Sequence, residues 1–151
     1  MALRDQPYLP LYIQDFLTDE KLNECSAAAT GVYIKIMCLL HKSEPYGKIL
    51  LRQKDKQTKN QKKDFALKLA KLLPFDGAVV LSALDELLTE DVLQIEGDFL
   101  VQKRMVKDGE ISLTRSKSGS KGGLATQNKK ANLEAKPTAN GKPNSENEYE
   151  Y

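Results

Sequence analysis

The sequence predicts an α+β fold, mainly helical, ending in a flexible tail. Three observations carry that expectation. Apolar residues recur at helical spacing in three separate stretches between Thr30 and Leu88. A three-residue apolar run stands between the first and second of these, and two β-prone runs around a Gly-containing loop follow the third. Beyond Ser116 apolar residues become sparse.

The first helix is read from Val32, Tyr33, Ile36, Met37, Leu39 and Leu40, the i, i+3, i+4, i+7 pattern of a wide buried face. Thr30 is its expected N-cap, since a hydroxyl there can accept from a free amide of the first turn. Glu44-Pro45-Tyr46-Gly47 stops it, because proline disfavours helix at the residue before it. Ile49, Leu50 and Leu51 suffice for a short strand. A second helix is expected over Lys62 to Leu73, with Phe65, Leu67, Leu69, Leu72 and Leu73 apolar, and Pro74 ends it. Asp76-Gly77 is a turn signal. A third helix follows through Val79, Val80, Leu81, Leu84, Leu87 and Leu88. Val92 to Ile95 and Phe99 to Gln102 then flank Glu96-Gly97-Asp98 and read as a hairpin. Helix, strand, helix, turn, helix, hairpin is the outline of a winged helix-turn-helix, with the hairpin as a short wing.

This outline and the aromatic segment before it, an extended arm expected to lay Tyr12, Phe16 and Leu17 on the core, make a domain over residues 1–108. An exposed arm would instead be a dimer or partner surface. Residues 109–151 are expected to be a low-complexity tail, basic first and acidic at its end, with disorder from Ser116 because so little apolar surface cannot offset ordering entropy.

Several function classes find no residues to carry them. The lone histidine, His41, reads as a surface or capping residue rather than a base. Cys25, Cys38 and His41 match no zinc spacing, although Cys38 and His41 can share a helix face, and neither a metal nor another cofactor is expected. Ser118 to Gly123 lacks the spacing and context of a phosphate-binding loop. No apolar run approaches the roughly 18 residues of a membrane span, and no apolar leader follows Met1, so a cytoplasmic protein with two free thiols is expected, Cys38 among the core positions.

Charge is more informative. The net +2 conceals a strong segregation. Seven bases and one acid lie between Lys48 and Lys63, whereas Leu72 to Gln102 holds seven acids and neither Lys nor Arg. The third helix offers Ser82, Asp85, Glu86, Thr89 and Glu90 as its polar residues, so it is a poor candidate for reading bases against phosphate repulsion. Nucleic-acid contact is expected from Arg52, Lys54, Lys56, Lys59, Lys62 and Lys63, from Lys103, Arg104 and Lys107 after the wing, and from Arg115, Lys117 and Lys121 in the tail. Such contacts favour phosphate over sequence. The plainer alternative for the Lys48 to Lys63 run is a solvated loop.

Four segments carry a resemblance: Pro7-Tyr8-Leu9-Pro10-Leu11-Tyr12-Ile13-Gln14-Asp15-Phe16-Leu17, Ala29-Thr30-Gly31-Val32-Tyr33, Gln102-Lys103-Arg104-Met105, and Arg115-Ser116 with Gly119-Ser120-Lys121-Gly122-Gly123. Over about residues 6–125 the chain resembles the N-terminal domain of phage replisome organizer and replication initiation proteins of Gram-positive bacteria and their prophages. The resemblance implies a winged helix related to DnaD-type primosome proteins, acting in the bacterial host cytoplasm on DNA at a replication origin and recruiting helicase-loading or other replisome proteins; a homo-oligomer is the separate expectation of the interaction-module alternative. Longer members carry a second, C-terminal domain, where this chain turns to low-complexity sequence. The alternatives are a protein-interaction or oligomerisation module and a winged-helix transcriptional regulator; the latter would need a basic or polar third helix.

Overall fold

A computed structural model describes residues 3–132, apart from the side chains of Arg4 and residues 118–132. The chain divides into two units, Met1–Thr114 and Arg115–Tyr151. In the first unit a 3-10 turn (Leu3–Asp5) leads to α1 (Ile13–Thr18), α2 (Glu20–Asn23) and α3 (Ala27–Lys42). Then come β1 (Lys48–Leu50), a second 3-10 turn (Gln53–Asp55), α4 (Gln61–Leu72), α5 (Gly77–Thr89), β2 (Gln94–Glu96) and β3 (Phe99–Val101). The last helix, α6 (Lys103–Asn132), belongs to this unit as far as Thr114.

The α+β, mainly helical class is therefore as expected, and so is the order of elements from α3 to β3. The strands form one antiparallel sheet in the order β1-β3-β2. Ile49 and Ile95 both face Leu100, and Lys48 faces Val101. α5 packs against both α3 and α4. Ile36, Leu40, Phe65, Leu69, Val80, Leu84, Leu87 and Leu100 are fully buried. Full burial of such a side chain stabilises by about 1.5–3 kcal/mol, so the core lies where the helical periodicity points.

The differences have local causes. The N-cap of α3 is Ser26, whose hydroxyl accepts from Ala29 N–H at 3.1 Å. Thr30 lies inside the helix and donates its hydroxyl to the Ser26 carbonyl. Ala27 and Ala28 extend the helix without adding to its apolar stripe. The arm is not extended. It folds into two short helices, and only Leu9 and Phe16 of its large apolar residues, together with Leu22 of α2, pack on the core. Tyr12 and Leu17 stay exposed. Cys25 and Cys38 are free, and Cys38 faces solvent between core positions Met37 and Leu40.

Gly109, which composition assigns to the start of the tail, is buried under Tyr46. A Cβ there would lie 2.8 Å from the Tyr46 ring. Gly47 makes the matching approach with φ +82°, where a Cβ would lie 2.8 Å from the Val106 amide nitrogen. Helix continues to Asn132, across residues where composition predicts disorder from Ser116. Its first turns are anchored by Met105 and Gly109, and extending an anchored helix does not repeat the nucleation cost. The remainder of the expected tail, residues 133–151, lies outside the described residues.

Candidate nucleic-acid interface

The basic segment after β1 is built onto α4 and the hairpin turn. At its start, the Asp55 carboxylate accepts from Arg52 N–H at 2.9 Å and from Lys68 Nζ at 2.8 Å. Lys68 also donates to the Leu50 carbonyl at 2.7 Å, which joins α4 to the end of β1. The hydrogen bond from Lys68 and the Arg52 amide hold the Asp55 carboxyl below its ordinary range. Further on, the buried Asp64 carboxylate accepts from Thr58 N–H (2.9 Å), Thr58 Oγ1 (3.0 Å) and Gln57 N–H (3.3 Å). A buried carboxylate without partners would be costly, so these bonds also hold the loop in place. Asn60 caps α4 by accepting from Lys63 N–H. Gln61 Nε2 donates to the Gly97 carbonyl at 2.5 Å, and Lys56 pairs with Asp98 at 3.1 Å, so the hairpin turn is fastened to the start of α4.

The twelve expected contacts fall into distinct groups. Arg52, Lys54, Lys59 and Lys63 are exposed and make no ion pair among the described residues. Lys56 and Lys62 are occupied, the first by Asp98 and the second by a close contact with Asp85 of α5. Arg104 is also occupied. It pairs with Asp15 at 2.7 Å and lies 3.8 Å from the Tyr12 ring centroid. The Asp15 hydrogen bond pushes the Arg104 guanidinium pKa up. Lys103 and Lys107 are exposed on the first turns of α6 and line a shallow depression with Lys48. Arg115 and Lys117 are exposed in the second unit, and the Lys121 side chain lies outside the described residues.

Lys48 belongs to the basic run but escapes a reading by segments. Only the antiparallel register, which faces it with Val101, brings it within two positions of Lys103. The internal duties of Lys56, Lys62 and Arg104 have no local signal, since their partners lie 42, 23 and 89 positions away.

The acids of α5 are partly spent within the fold. Glu86 accepts from Ser26 N–H and Oγ, each at 2.7 Å, and so ties α5 to the start of α3. Ser82, Asp85 and Thr89 remain exposed. His41 is buried, contrary to its expected surface role. Its Nε2–H donates to the Gln6 carbonyl at 2.9 Å, which fixes the tautomer, and Nδ1 accepts from the Tyr46 hydroxyl at 2.7 Å. This is a structural tie between the N-terminal segment and α3. No group of three metal-ligating side chains gathers among the described residues, and no helix among them is long and apolar enough to cross a membrane.

Compared with known proteins, the chain matches no family model, no curated protein and no solved structure.

Proposed function

We propose that this chain is a non-catalytic DNA-binding replication protein of the replisome-organizer type, built on a winged helix. In this reading α3, α4 and α5 are the three helices and β2–β3 the wing, and the sheet order β1-β3-β2 is compatible with that plan. One observation carries it: Arg52, Lys54, Lys59 and Lys63 are presented without ion-pair partners among the described residues, on a loop and helix start held by the Asp55 and Asp64 carboxylates. The α5 face, without Lys or Arg, leaves recognition to phosphate contacts.

The test is fluorescence anisotropy of labelled duplex and single-stranded DNA with the full chain over a salt series. Replacing Lys54, Lys59 and Lys63 by Glu should abolish most binding and lower the salt slope by about three, roughly one per phosphate contact. Replacing Arg115 and Lys117 by Glu should have the smaller effect. Unchanged binding in the first variant would overturn the reading.

A second reading has its own observation. Tyr8, Leu11, Ile13 and Leu17 are 42–68 % exposed in one short N-terminal stretch. Exposed apolar groups at this density mark protein contacts, so this stretch serves an assembly role with a second copy or a replisome partner. Sedimentation of an Ile13→Ser, Leu17→Ser variant tests it. Loss of self-association or of partner binding is expected, with DNA affinity unchanged.

A further inference from the structure

The outer face of the sheet carries side chains that lie outside the hydrophobic core cluster. Alternation along the strands turns Ile49 and Leu100 into the core. The same alternation, with Lys48 and Gln94 facing Val101 and Leu50 and Glu96 facing Phe99, places these six on the other side. Val101 is covered, but Leu50 is 40 % exposed. Phe99 is half-buried without joining the hydrophobic core cluster. The Lys48 ammonium stands 5.5 Å from its ring centroid. From Val101 a shallow depression continues onto α6, with Lys48, Lys103 and Lys107 at it, and Glu96 and Glu110 beside them.

Charge alone makes this a weak site for a duplex. A duplex keeps its base faces stacked inside and would use only the three lysines, with Glu96 and Glu110 beside them lowering the local charge for any strand. A single strand also offers unpaired base faces. An aromatic ring with an aliphatic neighbour and flanking cations binds those faces whatever the sequence. We propose that the outer face of the sheet binds single-stranded nucleic acid, one base stacking on Phe99 and the adjoining phosphates meeting Lys48, Lys103 and Lys107. Strands of three residues span about 10 Å, enough for two or three nucleotides. The proposal rests on the nucleic-acid reading above. It adds Lys48 and Phe99 to the contacts and names the form of strand.

The chain contains no tryptophan, so Phe99→Trp supplies a single fluorescent reporter that can still stack. Titration of this variant with a short oligothymidylate should quench the indole. Phe99→Ala should weaken single-strand binding roughly 5- to 150-fold, the range of one lost stacking contact, with duplex affinity changed by less than about twofold. Phe99→Leu keeps apolar bulk and should lose nearly as much, which separates stacking from packing. Single-strand binding that survives in both variants overturns the proposal, as does an equal loss for single strand and duplex. So does weakened self-association at unchanged single-strand affinity, which would reassign the face to contact between copies. If the unaltered chain binds neither form at low salt, the nucleic-acid reading itself falls. If it binds duplex and the Phe99 variants change nothing, only the present proposal falls.

Discussion

Tyr46 meets three separate demands. Its hydroxyl donates to His41 Nδ1, its ring covers Gly109, and its half-buried phenol is partly shielded from water. Burial, reinforced by the nearby Asp108 charge and Tyr12, pushes the phenol up to about 12. The fold therefore favours the neutral phenol. That contribution is intact below the ordinary tyrosine range near 10 and is lost as pH rises from there through about 12. Urea midpoints of the unaltered chain should fall across this window. In Tyr46→Phe the decline should be shallower, from a lower starting stability because His41 loses its partner. Gly109 gives a second outcome on the same contact. Gly109→Ala drives a methyl to 2.8 Å from the Tyr46 ring and should destabilise by about 1–3 kcal/mol, the usual range for overpacking, as read by denaturant unfolding.

At the level of elements, the loop between β1 and α4 depends on two carboxylates with different burdens. Asp55 has its carboxyl lowered by Lys68 and the Arg52 amide, so its contribution is complete above the ordinary carboxylate range near 4 and is lost as pH falls through the lowered value. The stability difference between the unaltered chain and Asp55→Asn should therefore be constant at neutral pH and close below about pH 4. A gap that persists at pH 2 would assign the loss to packing. Asp64 accepts three bonds in a buried site, and Asp64→Ala should cost about 2–3 kcal/mol because the Thr58 and Gln57 amides lose their acceptor.

These elements also show what could be read from the sequence. α3, α4 and α5 were legible because each buries a stripe, and a stripe is written in the spacing of Val32, Ile36 and Leu40 or of Val80, Leu84 and Leu87. The hairpin was legible from Gly97. Ser26 was not, because a cap ahead of Ala27 and Ala28 leaves no apolar mark. Nor was Gly109, since a glycine required by close approach looks in sequence like a glycine in a linker. Of the candidate interface, the cations themselves were legible. Which of them are free was not, for that depends on Asp15, Asp85 and Asp98 arriving from other elements.

Across the whole molecule, charge segregation in the sequence is partly undone by folding. The acid-rich stretch from Leu72 to Gln102 returns to the basic one, where Asp85 meets Lys62 and Asp98 meets Lys56. A phosphate approaching either lysine must displace a carboxylate already there, so these pairs subtract from the charge available to DNA. Both pairs are partly exposed, and pairs of that kind contribute little to stability. Their removal should be felt in binding far more than in folding. Asp85→Asn and Asp98→Asn together should tighten duplex binding several-fold at low salt and steepen the salt slope by about one for each lysine freed. The gain should shrink as salt rises, because screening weakens the freed lysines along with every other surface charge. Coupling gives the decisive comparison. In a Lys62→Gln background Asp85→Asn should confer only the small gain of removing a general negative charge, because the lysine it masks has gone. An equal gain in both backgrounds would mean that Asp85 repels DNA directly, and that the pair with Lys62 has no part in setting affinity.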